Sequence, residues 1–163
     1  MRTYTSMGTA ARLAVISLGL FVAGCGGGDD SSDSGTRGVV SRNRELWESR
    51  NTGSYRYTLL VNAFLPTEAR GPVSIEVRDG VTVAVRPLSD DVPISPEQFA
   101  NSNTIDKLFD RLESAADSGA DRQDHQFDPV GGYPVSAFID YDVRLADEEY
   151  GFTVTDYEPL PSD

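Results

Sequence analysis

The sequence has 163 residues, enough for one folded domain and short for two, and its 39% hydrophobic and 9% aromatic content can supply a core. With 14 Lys and Arg against 26 Asp and Glu, the formal charge is −12, which argues against unaided binding to nucleic acid phosphates or to an anionic lipid surface. The single Cys excludes an internal disulfide, and the single His excludes a multi-histidine metal site.

The N-terminus has the pattern of a lipoprotein signal peptide. Basic residues precede an apolar run over residues 13–22, which is too short to span a bilayer as a permanent helix. The run ends in Val22-Ala23-Gly24-Cys25, which looks like a bacterial lipobox. We therefore predict a signal peptide over residues 1–24 and lipidation of Cys25. The alternative is an ordinary secretory signal, with the Cys as a small apolar residue.

Gly, Ser and Asp dominate the segment that follows Cys25, a composition that cannot bury apolar area. We therefore predict that residues 25–38 form a flexible acidic tether after the lipidated Cys. Lipid on Cys25 would attach the mature chain to the cell envelope. The attachment is expected at the periplasmic face of an outer membrane or at the outer face of the cytoplasmic membrane. Gly26 rather than Asp after the Cys is compatible with the outer membrane.

The first half of the remaining chain predicts a helix and three strands. Val39, Val40, Leu46 and Trp47 fall close to one helix face, and Asn51-Thr52-Gly53 would end the helix. Apolar residues then alternate with polar ones, which predicts a long strand whose buried face carries Tyr55, Tyr57, Leu59, Val61 and Ala63.

The next two strands are predicted to form a hairpin around Asp79-Gly80. A two-residue turn would place the two valine rows on opposite faces of the sheet. A three-residue loop over residues 78–80, with Gly80 left-handed in a bulge, aligns Val77 with Val81 and Ile75 with Val83. We therefore expect the three-residue loop.

The second half predicts another helix and three more strands. Asn101–Thr104 can cap a helix whose apolar stripe contains Ile105, Leu108, Phe109, Leu112 and Ala116. A short strand is expected around residues 125–127. The last two strands are expected to carry Val135, Ala137, Ile139, Tyr141 and Val143 on one face, and then Tyr150, Phe152 and Val154.

These elements predict one α+β domain over residues 39–160, with the order α-β-β-β-α-β-β-β. We expect an antiparallel sheet with two helices packed on one face. Pro72-Val73-Ser74 is echoed by Pro134-Val135-Ser136 at the same place in the second half. An internal duplication is therefore an open alternative.

Several short sequence motifs, in a fixed order along the chain, indicate a family resemblance. They include Trp47, the motifs over residues 55–57 and 72–80, and in the second half those over 104–110, 127–134, 139–141, 146–150 and 153–156. With these motifs the chain resembles the bacterial lipoproteins of the domain of unknown function 6174. The resemblance implies an envelope location and a compact domain, and it supplies no reaction. The first strand of family members often carries Cys-x-Cys-Pro, and in this chain Ala63-Phe64-Leu65-Pro66 occupies that place.

Acidic residues crowd around one predicted strand end, and such oxygen ligands could hold Ca²⁺. They are Asp140, Asp142, Asp147, Glu148 and Glu149. Their spacing lacks the order of an EF-hand loop, so solvated charges at a turn are the favoured interpretation, and no metal or cofactor is predicted.

Two further features are candidates for function. His125 could act as a base, but no triad or nucleophile-elbow motif accompanies it. Asp128, Tyr133 and Pro134 belong to a Gly- and Pro-rich loop that could form a recognition surface, although turn formation explains the same residues.

The leading hypothesis is a non-catalytic, lipid-anchored envelope protein that holds or inhibits a partner protein. The alternative from another class is a hydrolase or Ca²⁺-dependent protein that uses the acidic cluster. A third hypothesis, a carrier of an apolar ligand, requires an open space between sheet and helices.

Overall fold

The computed structural model describes residues 31–91, 93–145 and 147–161. Two α helices and six strands follow one another there in the predicted order α-β-β-β-α-β-β-β. Their bounds are α1 Ser31–Arg50, β1 Tyr55–Ala63, β2 Val73–Arg78, β3 Val81–Pro87, α2 Ile105–Ser118, β4 Arg122–Phe127, β5 Pro134–Asp140 and β6 Glu149–Pro159. Short 3-10 helices over Thr67–Ala69 and Pro96–Phe99 lie in the connections.

The strands form one six-stranded antiparallel sheet in the order β3-β2-β1-β6-β5-β4. The first and last strands of the chain are therefore the two central strands, with Leu59 opposite Val154 and Val61 opposite Phe152. β3 and β4 are the edges. The predicted α+β class is confirmed.

The core lies between the helices and one face of the sheet. Along β1 the predicted alternation is confirmed, because Tyr55, Tyr57, Leu59 and Val61 are each at most 2% exposed while their neighbours are not buried. Each large apolar side chain buried in this way stabilises the fold by about 1.5–3 kcal/mol. The layer is filled by aromatic and aliphatic side chains, among them Trp47, Phe99, Phe109 and Leu112. This filling counts against the carrier hypothesis.

The predicted apolar stripe of α2 is confirmed, and both of its ends are capped. All five predicted stripe residues are buried, together with Ala115. At the start of the helix, the Thr104 hydroxyl accepts a hydrogen bond from the Lys107 N–H at 3.2 Å. At its end, Gly119 takes the left-handed conformation with φ 71° and donates to the last turn.

The first helix starts earlier than the sequence predicts. α1 includes residues 31–38, so the part of the expected flexible tether that the structure describes is helical. Arg37 connects this segment to the end of α2, because Nε donates to Asp117 at 3.1 Å and Nη2 donates to the Ala116 carbonyl at 2.8 Å. Composition alone does not reveal such a tertiary contact. The predicted stop is confirmed, with Gly53 at φ 82° just after the helix.

The hairpin between β2 and β3 differs from the predicted one. Arg78 pairs with Val81 across a two-residue turn, in which Asp79 and Gly80 both have positive φ, 48° and 77°. The bulge lies inside β3, because Val77 pairs with Thr82 and Glu76 with Ala84, which leaves Val83 as the extra residue. The expected pairing of Val77 with Val81 is therefore wrong. The prediction placed both valine rows on one face of the sheet, whereas Val77 is buried and Val81 and Val83 are 64% and 56% exposed.

β5 is shorter than predicted. It ends at Asp140, so Tyr141 and Val143 are not part of the strand, and Val143 is 64% exposed. Asp142 turns the chain there, because its carboxylate accepts the Arg144 N–H at 3.0 Å and its carbonyl accepts the Leu145 N–H at 2.9 Å. The apolar alternation continued in sequence after the strand had ended.

The sheet order does not support an internal duplication. β1 is central in the first half, whereas β4 is an edge in the second. A duplication would make β1, β2 and β3 equivalent to β4, β5 and β6. Equivalent strands lie three positions apart in the sheet, so they follow one another in the same order across it. Because neighbouring strands are antiparallel, strands three positions apart run in opposite directions. A rotation that reverses the strand direction and keeps the strand order also exchanges the two faces of the sheet. It would therefore place the two helices on opposite faces, whereas side chains of both helices join one core on one face.

Candidate functional site

Cys25 and the predicted signal peptide lie outside the described residues, so the structure does not test the lipidation prediction. Among the described residues, no helix is long and apolar enough to cross a membrane.

The acidic candidates do not form a common site. In the part of the chain that the structure describes, no group of three or more His, Cys, Asp or Glu side chains could hold a metal ion. Arg144 engages Asp142 through Nε at 2.8 Å and Nη2 at 2.7 Å, and these bonds lower the pKa of Asp142. Asp140 is buried, and its Oδ1 has no hydrogen-bond partner. The other three candidates, Asp147, Glu148 and Glu149, are exposed.

The loop that contains Asp128, Tyr133 and Pro134 is built as a turn that packs on α1. Asp128 Oδ1 accepts the backbone N–H groups of Val130 at 3.0 Å and Gly131 at 2.6 Å. The Tyr133 ring stacks on Tyr157 with their centroids 4.3 Å apart, and Pro134 is buried at the start of β5. These contacts account for the three residues by packing and turn geometry.

His125 lies on the edge strand β4, opposite Ala137 in β5. Its ring is tilted against Phe127 with centroids 5.5 Å apart, and its Nε2 is buried without a hydrogen-bond partner. Burial lowers the pKa of His125, and Asp124 opposes this shift. The surroundings are those of a packed side chain rather than of a general base held by an acid.

A surface pocket of about 430 Å³ lies along one side of α2, and we call it the α2 pocket. Its lining combines two cations with polar and aromatic groups, namely Asn101, Lys107, Asp110, Arg111, Ser114 and Tyr141. The helical spacing of 107, 110, 111 and 114 places these four side chains on one face of α2.

Arg111 is held over an aromatic ring at this pocket. Its Cζ lies 3.9 Å from the centre of the Tyr150 ring, which is a close cation–π contact. Arg111 Nε is buried without a hydrogen-bond partner among the described residues, and the Tyr150 hydroxyl lies beside Ser102. Burial raises the pKa of Tyr150, and the neighbouring Arg111 and Ser102 oppose this shift. The arrangement presents hydrogen-bond donors and positive charge in a chain that is acidic overall.

A second unusual surface is the outer edge of β3, which we define as residues 81–86 and call the β3 edge. Its residues are uncharged until Arg86, and Val81 and Val83 are exposed. On the sheet face without helices, Arg56 and Arg78 donate to Glu76 at 3.2 and 3.0 Å, and these bonds lower the pKa of Glu76. The Arg86 side chain is 68% exposed, and its Nη1 lies 4.0 Å from Glu76 Oε2, which is a long ion pair.

Sequence reasoning missed both surfaces. Lys107 and Arg111 are four residues apart on a predicted helix, which was a visible signal, but such charges usually lie in solvent. The exposure of Val81 and Val83 depends on the bulge position, and the sequence pattern did not give that position.

Comparison with known proteins adds a family and no activity. The model of the family of unknown function DUF6174 matches residues 39–159, which extend from the ninth residue of α1 to the end of β6. No curated protein and no solved structure matches the chain. The match covers well over half of the sequence, so the chain belongs to the family of unknown function DUF6174.

Proposed function

We propose that this chain is a lipid-anchored protein of the bacterial cell envelope that binds a partner protein and catalyses no reaction. Lipid on Cys25 would hold it at the periplasmic face of the outer membrane or at the outer face of the cytoplasmic membrane. Two acyl attachments on one Cys make such anchoring stable, whereas a single chain would be marginal.

The observation that carries the proposal is the β3 edge. An edge strand presents unpaired N–H and C=O groups, and proteins usually protect such strands with charged side chains or bulges. The opposite edge, β4, follows this rule, because Arg122 and Asp124 form an exposed ion pair along it. β3 instead exposes Val81 and Val83, and its main protection is the bulge at Val83. An extended segment of a partner could therefore pair with β3 as an additional strand. The bulge interrupts the regular hydrogen bonding along this edge, so the paired stretch would be short.

The charges beside the β3 edge favour an acidic segment as the occupant. Arg56, Arg78 and Arg86 share Glu76, and Arg56 also pairs with Glu158 at 3.4 Å. The one charged side chain of β3 itself, Arg86, is therefore an exposed arginine with a weak ion pair. A second copy of this chain is a poorer occupant, because two molecules of net charge −12 repel each other.

The position of the β3 edge suits an anchored protein. α1 begins six residues after Cys25 and, with 20 residues, is about 30 Å long. Its far end leads into Gly53, whose carbonyl accepts the Gly80 N–H of the β2–β3 turn at 2.8 Å. The start of β3 is therefore near the end of α1 that is remote from the anchor.

Site-specific photo-crosslinking in the native cells tests the binding surface. We would place a photo-crosslinking amino acid at Val83, and at Asp124 on the β4 edge as the matched control. We expect position 83, but not position 124, to crosslink to an acidic extended segment of another protein, located by mass spectrometry. A synthetic peptide of that segment should bind the purified protein and bind Arg86→Glu at least tenfold more weakly. Crosslinking of position 83 only to a second copy of this chain, or equal crosslinking at both edges, would contradict the proposal.

The anchor is tested separately by metabolic labelling with a palmitate analogue. We expect the wild-type protein to carry the label and to sediment with membranes, and Cys25→Ser to lose both properties. Ser41→Cys, which leaves Cys25 in place, is the matched control and should keep the label. An unlabelled wild-type protein would rule out lipidation at Cys25.

A further inference from the structure

We propose that the α2 pocket binds an oxyanion, the carboxylate or phosphate group of a small ligand, between Lys107 and Arg111. This site is separate from the β3 edge and does not depend on partner binding there. The residues around it provide positive charge, hydrogen-bond donors, buried polar atoms without partners and space, and each of these four contributes a separate step.

The first step is the charge in the pocket. Lys107 and Arg111 are four residues apart on α2, so their side chains are neighbours and their like charges repel. Among the described lining residues these two cations face one carboxylate, Asp110, which accepts a hydrogen bond at 2.9 Å from Arg44 of α1, an arginine that also bonds Glu48 and Glu113. The pocket therefore keeps an excess of positive charge that a bound anion would compensate.

The second step is the direction of the donors. The Arg111 guanidinium lies over the Tyr150 ring, and its Nε donates to no acceptor among the described residues. A planar guanidinium suits two parallel hydrogen bonds to a carboxylate or phosphate. Lys107 Nζ donates to the Ala100 carbonyl and to Asn103 Oδ1, each at 2.7 Å, which leaves one of its three N–H groups for a ligand.

The third step is the unsatisfied polar atoms beneath Arg111. A buried polar atom without a hydrogen-bond partner lowers the stability of the fold, so native proteins contain few such atoms. Arg111 Nε, a donor, is one of them. Gln123 Oε1, an acceptor, is another, and Gln123 lies in the same cross-strand row as Tyr150, with Ile139 between them.

The fourth step is size. A volume of about 430 Å³ is within the range of small-molecule sites. The Ser114 hydroxyl, the Asn101 amide and the Tyr141 side chain line the rest of the pocket and can orient the remainder of a ligand. The site therefore fits a small anionic molecule better than a bare chloride ion.

Calorimetric titration of the full chain in mild detergent tests this inference. Inorganic phosphate and succinate would be titrated separately, at an ionic strength held constant with sodium chloride so that screening does not change. We expect saturable binding of at least one of them. Arg111→Ala should weaken binding at least tenfold and Lys107→Ala severalfold, while Arg86→Ala, an exposed arginine outside the pocket, should leave binding unchanged.

The two titrations distinguish the sources of the anion. Binding of phosphate alone identifies a phosphate-bearing ligand, and binding of succinate alone identifies a carboxylate. No saturable heat with either probe, or equal weakening by Arg86→Ala and Arg111→Ala, would overturn the proposal. Circular dichroism checks that each variant is folded. If Arg111→Ala does not fold, Lys107→Ala and Arg111→Lys decide the question, because unchanged binding in both would also overturn it.

Discussion

The single histidine makes one side chain a direct probe of burial. His125 Nε2 is buried without a partner, and desolvation lowers the pKa of His125 from its ordinary value of 6.5, with Asp124 opposing the shift. The folded state therefore binds this proton less readily than the unfolded state does. Its contribution to stability is present above about pH 6.5 and is lost as the pH falls through the folded-state pKa.

We expect the histidine ring signals in an NMR titration of the folded protein to shift with a midpoint below pH 6.5. The free energy of unfolding in urea should fall more steeply between pH 7 and pH 5 for the wild type than for His125→Gln, which lacks the titrating group. A midpoint at or above 6.5 would show that the ring is not desolvated.

At the residue scale, the core could be predicted and the pocket could not. The buried rows of β1 and α2 follow from periods of two and 3.6, because one face of each element is covered. Arg111 carries no such pattern. Its partner ring, Tyr150, is 39 residues away in sequence, and only the folding of α2 over the sheet brings the two together.

At the scale of elements, two glycines with nearly the same φ show two different reasons for glycine. One is the strain of a left-handed residue, and the other is close packing against a neighbouring element. Gly132 has φ +79°, and a Cβ there would lie 2.6 Å from the Asn43 carbonyl oxygen and 2.8 Å from the Trp47 nitrogen of α1. Gly80 has φ +77° and no atom within 4 Å of the same position. The loop after β4 thus requires glycine for its contact with α1, whereas the β2–β3 turn requires it only for the left-handed conformation.

We expect Gly80→Ala to destabilise the domain by about 1 kcal/mol, the strain of a left-handed residue. Gly132→Ala should destabilise it by about 2–4 kcal/mol, because the loop or α1 must also move. Urea unfolding of both variants measures the difference. Equal losses would show that the loop and α1 are not in close contact.

The register of the β2–β3 hairpin shows why local reasoning can fail at this scale. Both loop lengths are consistent with Asp79-Gly80, and the sequence offered the burial of two valine rows as the criterion. β3 is an edge strand, so Val81 and Val83 need not be buried, and the bulge moves to the strand interior. The prediction for the valines assumed that β3 is covered like an inner strand, and the sequence does not specify which strands lie at the edge of the sheet.

At the scale of the whole molecule, the two halves depend on each other. β1 and β6 pair at the centre of the sheet, and Trp47 of α1 packs edge-on against Tyr133 and Tyr157, with centroids 6.2 and 5.8 Å apart. The first half alone would expose β1 and the Trp47 side chain. The second half alone would expose β6 and the aromatic rings that Trp47 covers.

We expect each of the fragments 1–91 and 92–163 to be unfolded in isolation. When the two fragments are mixed, they should regain the circular dichroism spectrum of the uncut chain, which serves as the control. The cut falls in the connection between β3 and α2. A cooperative thermal transition in either fragment alone would show that the halves are independent units.

The sequence by itself determined the local properties of this protein: the order of its elements, the buried faces of β1 and α2, the caps of α2 and the acidic charge. These depend on residues close together in the chain, so periodicity and capping are enough to predict them. The tertiary structure alone decided the central pairing of β1 with β6, the bulge in β3, the helical start of α1 and the pocket around Arg111. Each of these depends on contacts between distant residues, whose partners are chosen by the burial of the whole core rather than by any local pattern.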